Sequence, residues 1–232
     1  MSYKELRREV YEANLELERR NLVIYTFGNV SQVDRQAGVI AIKPSGVSYD
    51  QMTPDDIVVV DLENNIVDGK LRPSSDTKTH THLYRHFNDI GGVTHTHSTY
   101  ATAWAQVRQD IPCYGTTHAD FVAGDIPCTP ELTDDQIHRD YEEETGVQIS
   151  ETFRLRDLNP VASPMVIVAG HAPFTWGEDA AKSVYHAVIL EEIARMAYLT
   201  KTINSESLRL KQAVLNKHYQ RKHGKNAYYG QN

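Results

Sequence analysis

At 232 residues, with 40% hydrophobic and 24% charged residues, the chain has ordinary globular composition and length enough for a sizeable core in one domain, which excludes a disordered or fibrous polypeptide. A net charge of −7 with no long basic stripe argues against nucleic-acid partners, and the longest apolar runs, "IVVV" and "MVIVAG", fall far short of the roughly 20 residues that cross a bilayer. The charged N-terminus lacks a secretory apolar stretch, which gives a cytoplasmic expectation, and Cys113 and Cys128, too far apart for a CxxC pair, read as free thiols.

Leu6, Val10, Ala13 and Leu17 recur at helical spacing among charges, so residues 4–20 are expected to form an amphipathic helix. "NLVIYTFGNVSQVDRQAGVIAIKPSG" then alternates short β-branched runs with Gly, Asn and Asp, the pattern of strands joined by turns. "DDIVVVDLENNIVDGKL" reads as a further hairpin turning at Asn64-Asn65, and Ser74 or Ser75 is placed to cap a helix through "DTKTHTHLYRHF". In that helix His80, His82 and His86 are expected mainly on a solvated face, although His82 and His86, four residues apart, could also bind a metal. Residues 180–200 carry strong helix formers at helical period, so a long helix follows the "MVIVAG" strand. The tail "KHYQRKHGKNAYYGQN" is basic and aromatic without clear periodicity.

The chemistry concentrates in "GGVTHTHS". Val93, Thr94 and Thr96 favour a strand and Ser98 a helix cap, which puts His95 and His97 on one face at a strand end. Such a pair is either half of a metal chelate or two hydrogen-bonded imidazoles, and His171, beyond Gly170 at the end of the other apolar strand, supplies a third nitrogen. "KPSG" and "PSSDT" offer a cation, hydroxyls and a helix start where free N–H groups attract anions, although each alone is also a plain turn or cap. In "GTTHADF", Asp120 is either a turn residue or a general acid–base, and Tyr228 and Tyr229 are either apolar anchors or proton-transfer groups.

Together, "TFGNVS", "KPSGV", "PSSDT", "HTHS", "GTTHADF", "IPCT", "ETG" and the closing "KHYQRKHGKNAYYGQ" resemble the L-ribulose-5-phosphate 4-epimerases of the class II aldolase family, from the first helix to the C-terminus. The resemblance implies an α/β fold: a single mixed domain over 1–232, with a largely antiparallel central sheet flanked by helices. It also implies a cyclic homotetramer in which segment 205–232 completes an active site at a subunit interface. The implied cofactor is a divalent metal, zinc by preference with manganese or cobalt as substitutes, held by His95, His97 and His171 with Asp76 as a further ligand. Aldolases of the family carry Glu where Asp76 stands and use it as the base.

By the same likeness, Asn29, Lys43, Ser45, Gly46, Ser74 and Ser75 surround the phosphate of a phosphorylated ketopentose. Asp120 and Tyr229 match an acid–base pair, the tyrosine reaching in from a neighbouring subunit; His218 matches a histidine near the active site, and Glu142 and Thr116 match further polar positions. The implied reaction fits the chemistry of C4 in a 2-ketose, whose hydrogen is not acidic. Inversion there requires either oxidation by a nicotinamide, for which the chain has no GxGxxG fingerprint, or cleavage and re-formation of the C3–C4 bond. Two alternatives stand beside it: a sugar-phosphate aldolase using the same metal, and an adducin-head-like interaction protein, which would lack the metal ligands present here.

Overall fold

In the computed structural model, which describes residues 2–225 and 227–229, the first helix begins where a capping box is written. Glu5 N–H donates to Ser2 Oγ while Ser2 N–H donates back to Glu5 Oε2, and helix α1 (Tyr3–Arg19) follows. Its predicted apolar stripe, Leu6, Val10, Ala13 and Leu17, is the buried face. Asn14 interrupts that stripe without penalty, because its amide bonds the Val10 and Val30 carbonyls and accepts from Val30 N–H, pinning α1 to the sheet.

Seven strands form one sheet: β1 (Asn29–Asp34), β2 (Val39–Ile42), β3 (Val58–Asp61), β4 (Ile66–Asp68), β5 (Gly92–His95), β6 (Met165–Ile167) and β7 (Pro173–Gly177). Their order is β4-β3-β2-β1-β5-β7-β6, every neighbouring pair is antiparallel, and the expected hairpins β1–β2 and β3–β4 are joined edge to edge. Asn64, in the predicted turn, takes a positive φ of 71°.

Alternation sorts the strands between two layers. Ile40, Ile42, Val58 and Val60 face α2 (Thr77–His86) and α5 (Asp134–Leu155), packing with Leu83, Ile149 and Phe153, while Val39, Ala41 and Val59 meet Leu6 and Val10 of α1 on the other face. The long helix α6 (Ala180–Ile203), three residues beyond its expected end, lies beside α1 through Ala180, Val184 and Ala187, and its later turns cover α3 (Thr99–Gln106). Burying both faces removes apolar surface from water at a gain of roughly 25 cal/mol per Å² and accounts for β2 and β3, VIAI and VVVD, being near-continuous apolar runs. Among the described residues no helix is long and apolar enough to cross a membrane.

Three local expectations are corrected. Helix α2 starts one residue later than a serine cap would put it: Asp76 is the N-cap residue, and Ser74 Oγ accepts from Asp76 N–H at 3.3 Å. His82 is not on a solvated face, since it is 5% exposed with Nδ1 2.9 Å from Glu143 Oε1 and Nε2 3.0 Å from Ser150 Oγ; only His86 is exposed, stacked on His82 at 3.9 Å. The tail contains helix α7 (Gln212–His223), which docks on α4 (Thr116–Ala119) through Leu215 against Cys113 and Ala119. With a single buried side chain in α7, the segment has no apolar stripe to betray it. Asn226 and residues 230–232 of the closing motif lie outside the described residues.

Candidate functional site

The strand register assembles the site. Asn29 opens β1 opposite His95 at the end of β5, and His95 in turn faces Phe174 of β7, so three strands bring their ends to one place. His95 stacks on Phe174 at 4.2 Å; His97 lies two residues on, just outside the strand; His171 sits in the β6–β7 turn behind Gly170, whose φ is 70°. The three ring centroids form a near-equilateral triangle of 4.9, 4.9 and 5.1 Å, and one ligand atom from each lies within 4.8 Å of the others. The HxH spacing therefore does place both rings on one side, as the strand argument predicts.

Protonation suits this cluster to a cation. His95 Nδ1 donates to the Pro173 carbonyl at 3.0 Å, which turns its Nε2 towards His97 Nε2 at 3.2 Å. Burial and the neighbouring His95 and His97 push His171 down to about 3, and burial followed by His95 lowers His97, so both are neutral near pH 7. His171 Nδ1 is buried without a hydrogen-bond partner among the described residues. Three ring nitrogens converging on one point, one of them without a partner, fit a divalent ion of the kind that takes imidazole ligands at about 2.0–2.1 Å.

Asp76 stands beside the triad, its Oδ2 4.0 Å from His95 Nε2 and accepting from Asn29 Nδ2 at 2.6 Å. Burial works to raise its carboxyl, but His95, His80, the Asn29 hydrogen bond and His171 outweigh burial and hold it below its ordinary value. Asp76 is shared by two adjoining cavities. One, of about 320 Å³, holds the three histidines with Tyr141 and Glu142; the other, of about 290 Å³, is lined by Asn29, Lys43, Ser45, Gly46, Ser74 and Ser75, so all six sequence-predicted phosphate residues share it.

Within the second cavity, Asn29 Nδ2 also donates to Ser74 Oγ at 3.0 Å. Lys43 is 1% exposed and its Nζ donates to the Val47 and Thr26 carbonyls, bracing the loop from both sides, while burial pushes it down to about 8. Gly28 is required where the loop turns into β1: its φ is 75°, and a Cβ there would lie 2.9 Å from the His95 carbonyl oxygen.

Asp120, His218 and Tyr229 gather elsewhere. Asp120 ends α4 and accepts a two-pronged bond from Arg221 (3.1 and 2.8 Å) and one from His218 Nδ1 (3.0 Å), with the Tyr229 ring under Arg221 at 4.9 Å. Burial raises the Asp120 carboxyl, and the Arg221 and His218 hydrogen bonds more than offset it, so it stays ionised. None of the three lines either cavity of its own protomer, and Thr116 is exposed on α4.

Sequence reasoning misses Tyr141 as a lining residue and Arg221 as the partner of Asp120. Tyr141 sits next to Glu142 in an acidic run with no periodic signal, and Arg221 is one basic residue among several in the tail.

The model of the Class II Aldolase and Adducin N-terminal domain family matches residues 8–198. Among solved structures, an L-fuculose 1-phosphate aldolase is 24% identical with a TM-score of 0.81, covering 94% of this chain and 95% of its own. YgbL from Klebsiella pneumoniae, named as an aldolase/epimerase/decarboxylase with the choice left open, is 22% identical with a TM-score of 0.73 over 94% and 99% of the two chains. The L-fuculose-1-phosphate aldolase of Thermus thermophilus is 21% identical with a TM-score of 0.69 over 88% and 98%. At these identities the likeness is one of fold.

Proposed function

Because the chain belongs to the class II aldolase and adducin N-terminal domain family, we propose that it is a metal-dependent sugar-phosphate 4-epimerase that interconverts L-ribulose 5-phosphate and D-xylulose 5-phosphate. The observation that carries this reading is the convergence of His95, His97 and His171 in a cavity that shares Asp76 with a second, hydroxyl- and amide-lined cavity with room for a phosphate group.

The three histidines and Asp76 would hold a divalent ion, zinc by preference with manganese or cobalt as substitutes. Bound there, it would supply Lewis acidity, lowering the cost of the charge that develops as the C3–C4 bond breaks. The chain's own residues do the rest. Asn29, Ser45, Gly46, Ser74 and Ser75 hold the phosphate, so that glycolaldehyde phosphate, once formed, stays anchored. As the C4 hydroxyl gives up its proton and becomes a carbonyl, the bonding pair remains on C3. The anchored aldehyde turns its other face to C3, the bond re-forms, and the new C4 alkoxide is protonated from the opposite side.

Two proton-transfer groups are therefore needed, and Asp120 and Tyr229 take those roles. Both lie off the cavity of their own protomer, on the α4–α7 surface, so in this reading a neighbouring copy in a cyclic homotetramer carries them, with His218 and Arg221, to the site. The segment 205–232 then completes the active site in trans.

An aldolase that releases its two fragments is the second reading, favoured by the fold likeness to L-fuculose 1-phosphate aldolase. Incubation of metal-loaded protein with L-ribulose 5-phosphate, following D-xylulose 5-phosphate and free glycolaldehyde phosphate before and after chelation, separates the two. Chelator-sensitive epimer without free aldehyde is expected; accumulating aldehyde would make the protein an aldolase, and neither product would overturn both. Asp120→Asn and Tyr229→Phe should each depress turnover by about 10²-fold or more while leaving bound metal unchanged.

A further inference from the structure

One wall of the histidine cavity comes from the start of α5, where the helix is interrupted at Asp140 (φ −168°, ψ 90°). Tyr141, the next residue, is 38% exposed, its ring centroid 5.9 Å from that of His171, and its hydroxyl makes no hydrogen bond among the described residues. The backbone on either side of it is tied to α2. Lys78 Nζ meets Asp140 at 2.5 Å, Thr79 Oγ1 donates to the Glu142 carbonyl at 2.6 Å, and His82 Nδ1 donates to Glu143 at 2.9 Å.

A phenol hydroxyl is a hydrogen-bond donor as well as an acceptor. Tyr141 lines the histidine cavity on a backbone fixed at the residues before and after it, and its hydroxyl has no protein partner among the described residues, so it is free to pair with a group that enters the cavity. The geometry of the paired cavities says which part of a sugar phosphate that is. With the phosphate among Asn29, Ser74 and Gly46, the opposite end of the carbon chain passes Asp76 into the cavity of His171 and Tyr141.

Resting on the sugar-phosphate reading, we propose that Tyr141 is a specificity-determining residue whose hydroxyl donates a hydrogen bond to the terminal C1 hydroxyl of the bound sugar phosphate. The site thereby selects chains that end in a hydroxymethyl group over 1-deoxy chains. A pocket built to pair a substrate hydroxyl rejects the analogue without it, because its own polar group is then left unpaired.

The test uses two compounds that cannot be cleaved because they have no carbonyl, a pentitol 5-phosphate and its 1-deoxy counterpart. Their binding to the metal-loaded wild-type protein and to Tyr141→Phe is measured by calorimetry, with bound metal quantified in each sample. The wild type should bind the pentitol phosphate about tenfold more tightly than the 1-deoxy compound, and Tyr141→Phe should remove that preference by weakening only the former, with metal content unchanged.

Equal weakening of both compounds, or of neither, would overturn the assignment while leaving the sugar-phosphate reading intact. Failure of the wild type to bind either compound would overturn both. Selective binding without epimerisation of L-ribulose 5-phosphate would retain Tyr141's role and remove the epimerase.

Discussion

Replacing Gly146 with alanine sets helix propensity against packing at the point where α5 crosses α2. In a helix interior the change should gain about 1 kcal/mol, since alanine loses less backbone freedom than glycine. The new Cβ, however, would lie 2.7 Å from His82 Cβ, 2.9 Å from Cγ and 3.2 Å from Cδ2. Ordinary carbon contacts are about 3.5–4.0 Å, so the helices must part by roughly 1 Å.

His82 cannot give way cheaply, because its Cβ is fixed to α2 and its ring is held by Glu143 on one nitrogen and Ser150 on the other. Overpacking costs about 1–3 kcal/mol and straining the ring's hydrogen bonds about 1 kcal/mol more, which against the propensity gain leaves a net loss of about 2 kcal/mol. For a chain of this size that lowers Tm by about 4–8 °C. Urea denaturation and calorimetry at one fixed protein concentration would read it. The decisive comparison is the same change in a His82→Gly background, where the atoms that crowd the Cβ are gone: there Gly146→Ala should stabilise by up to about 1 kcal/mol. A stabilised Gly146→Ala single variant, or an equal loss in both backgrounds, would refute the close-approach argument.

Chelation should lower the unfolding temperature, because an ion that binds only the folded triad at 100 times its Kd contributes about 2.7 kcal/mol, or about 5–11 °C here. His171→Ala should abolish most of that difference, and identical transitions in loaded and stripped wild type would mean that the triad is not a chelate. Burial pushes His118 down to about 4 from 6.5, so between those values the unfolded chain takes up a proton that the folded one refuses. Its contribution is complete above pH 6.5 and is lost as the pH falls towards 4. His118→Gln should therefore flatten the pH dependence of stability in that window by about 1.4 kcal/mol per pH unit, as measured by denaturation at stepped pH, and an unchanged slope would exclude the assignment.

Features set by near neighbours in the chain are legible in the sequence. The apolar face of α1, the turn at Asn64, the glycine before His171 and the shared side of His95 and His97 all follow from periodicities of about 3.6 or 2 residues and from residues with restricted backbone preference. His82 defeats such reasoning because a polar residue is taken as solvent-facing unless a partner is known, and its partners lie 61 and 68 residues away. The tail helix is equally hidden because it buries only Leu215.

Residue types and short-range spacing thus determined by themselves that the chain mixes helices and strands and that His95, His97 and His171 are able to ligate a metal and "KPSG" and "PSSDT" to cradle an anion; the single mixed domain and the full ligand set came from the family resemblance. Only the tertiary structure decided who meets whom. The β1–β5–β7 register set Asn29 beside His95 and His95 beside Phe174, and the α2–α5 clamp held Tyr141 against His171. It also gave Asp120 to Arg221 across 101 residues. The reason is physical: dihedral preference and side-chain alternation act over a few residues, whereas register and helix crossing are settled by the burial and close packing of surfaces that the chain brings together only once folded.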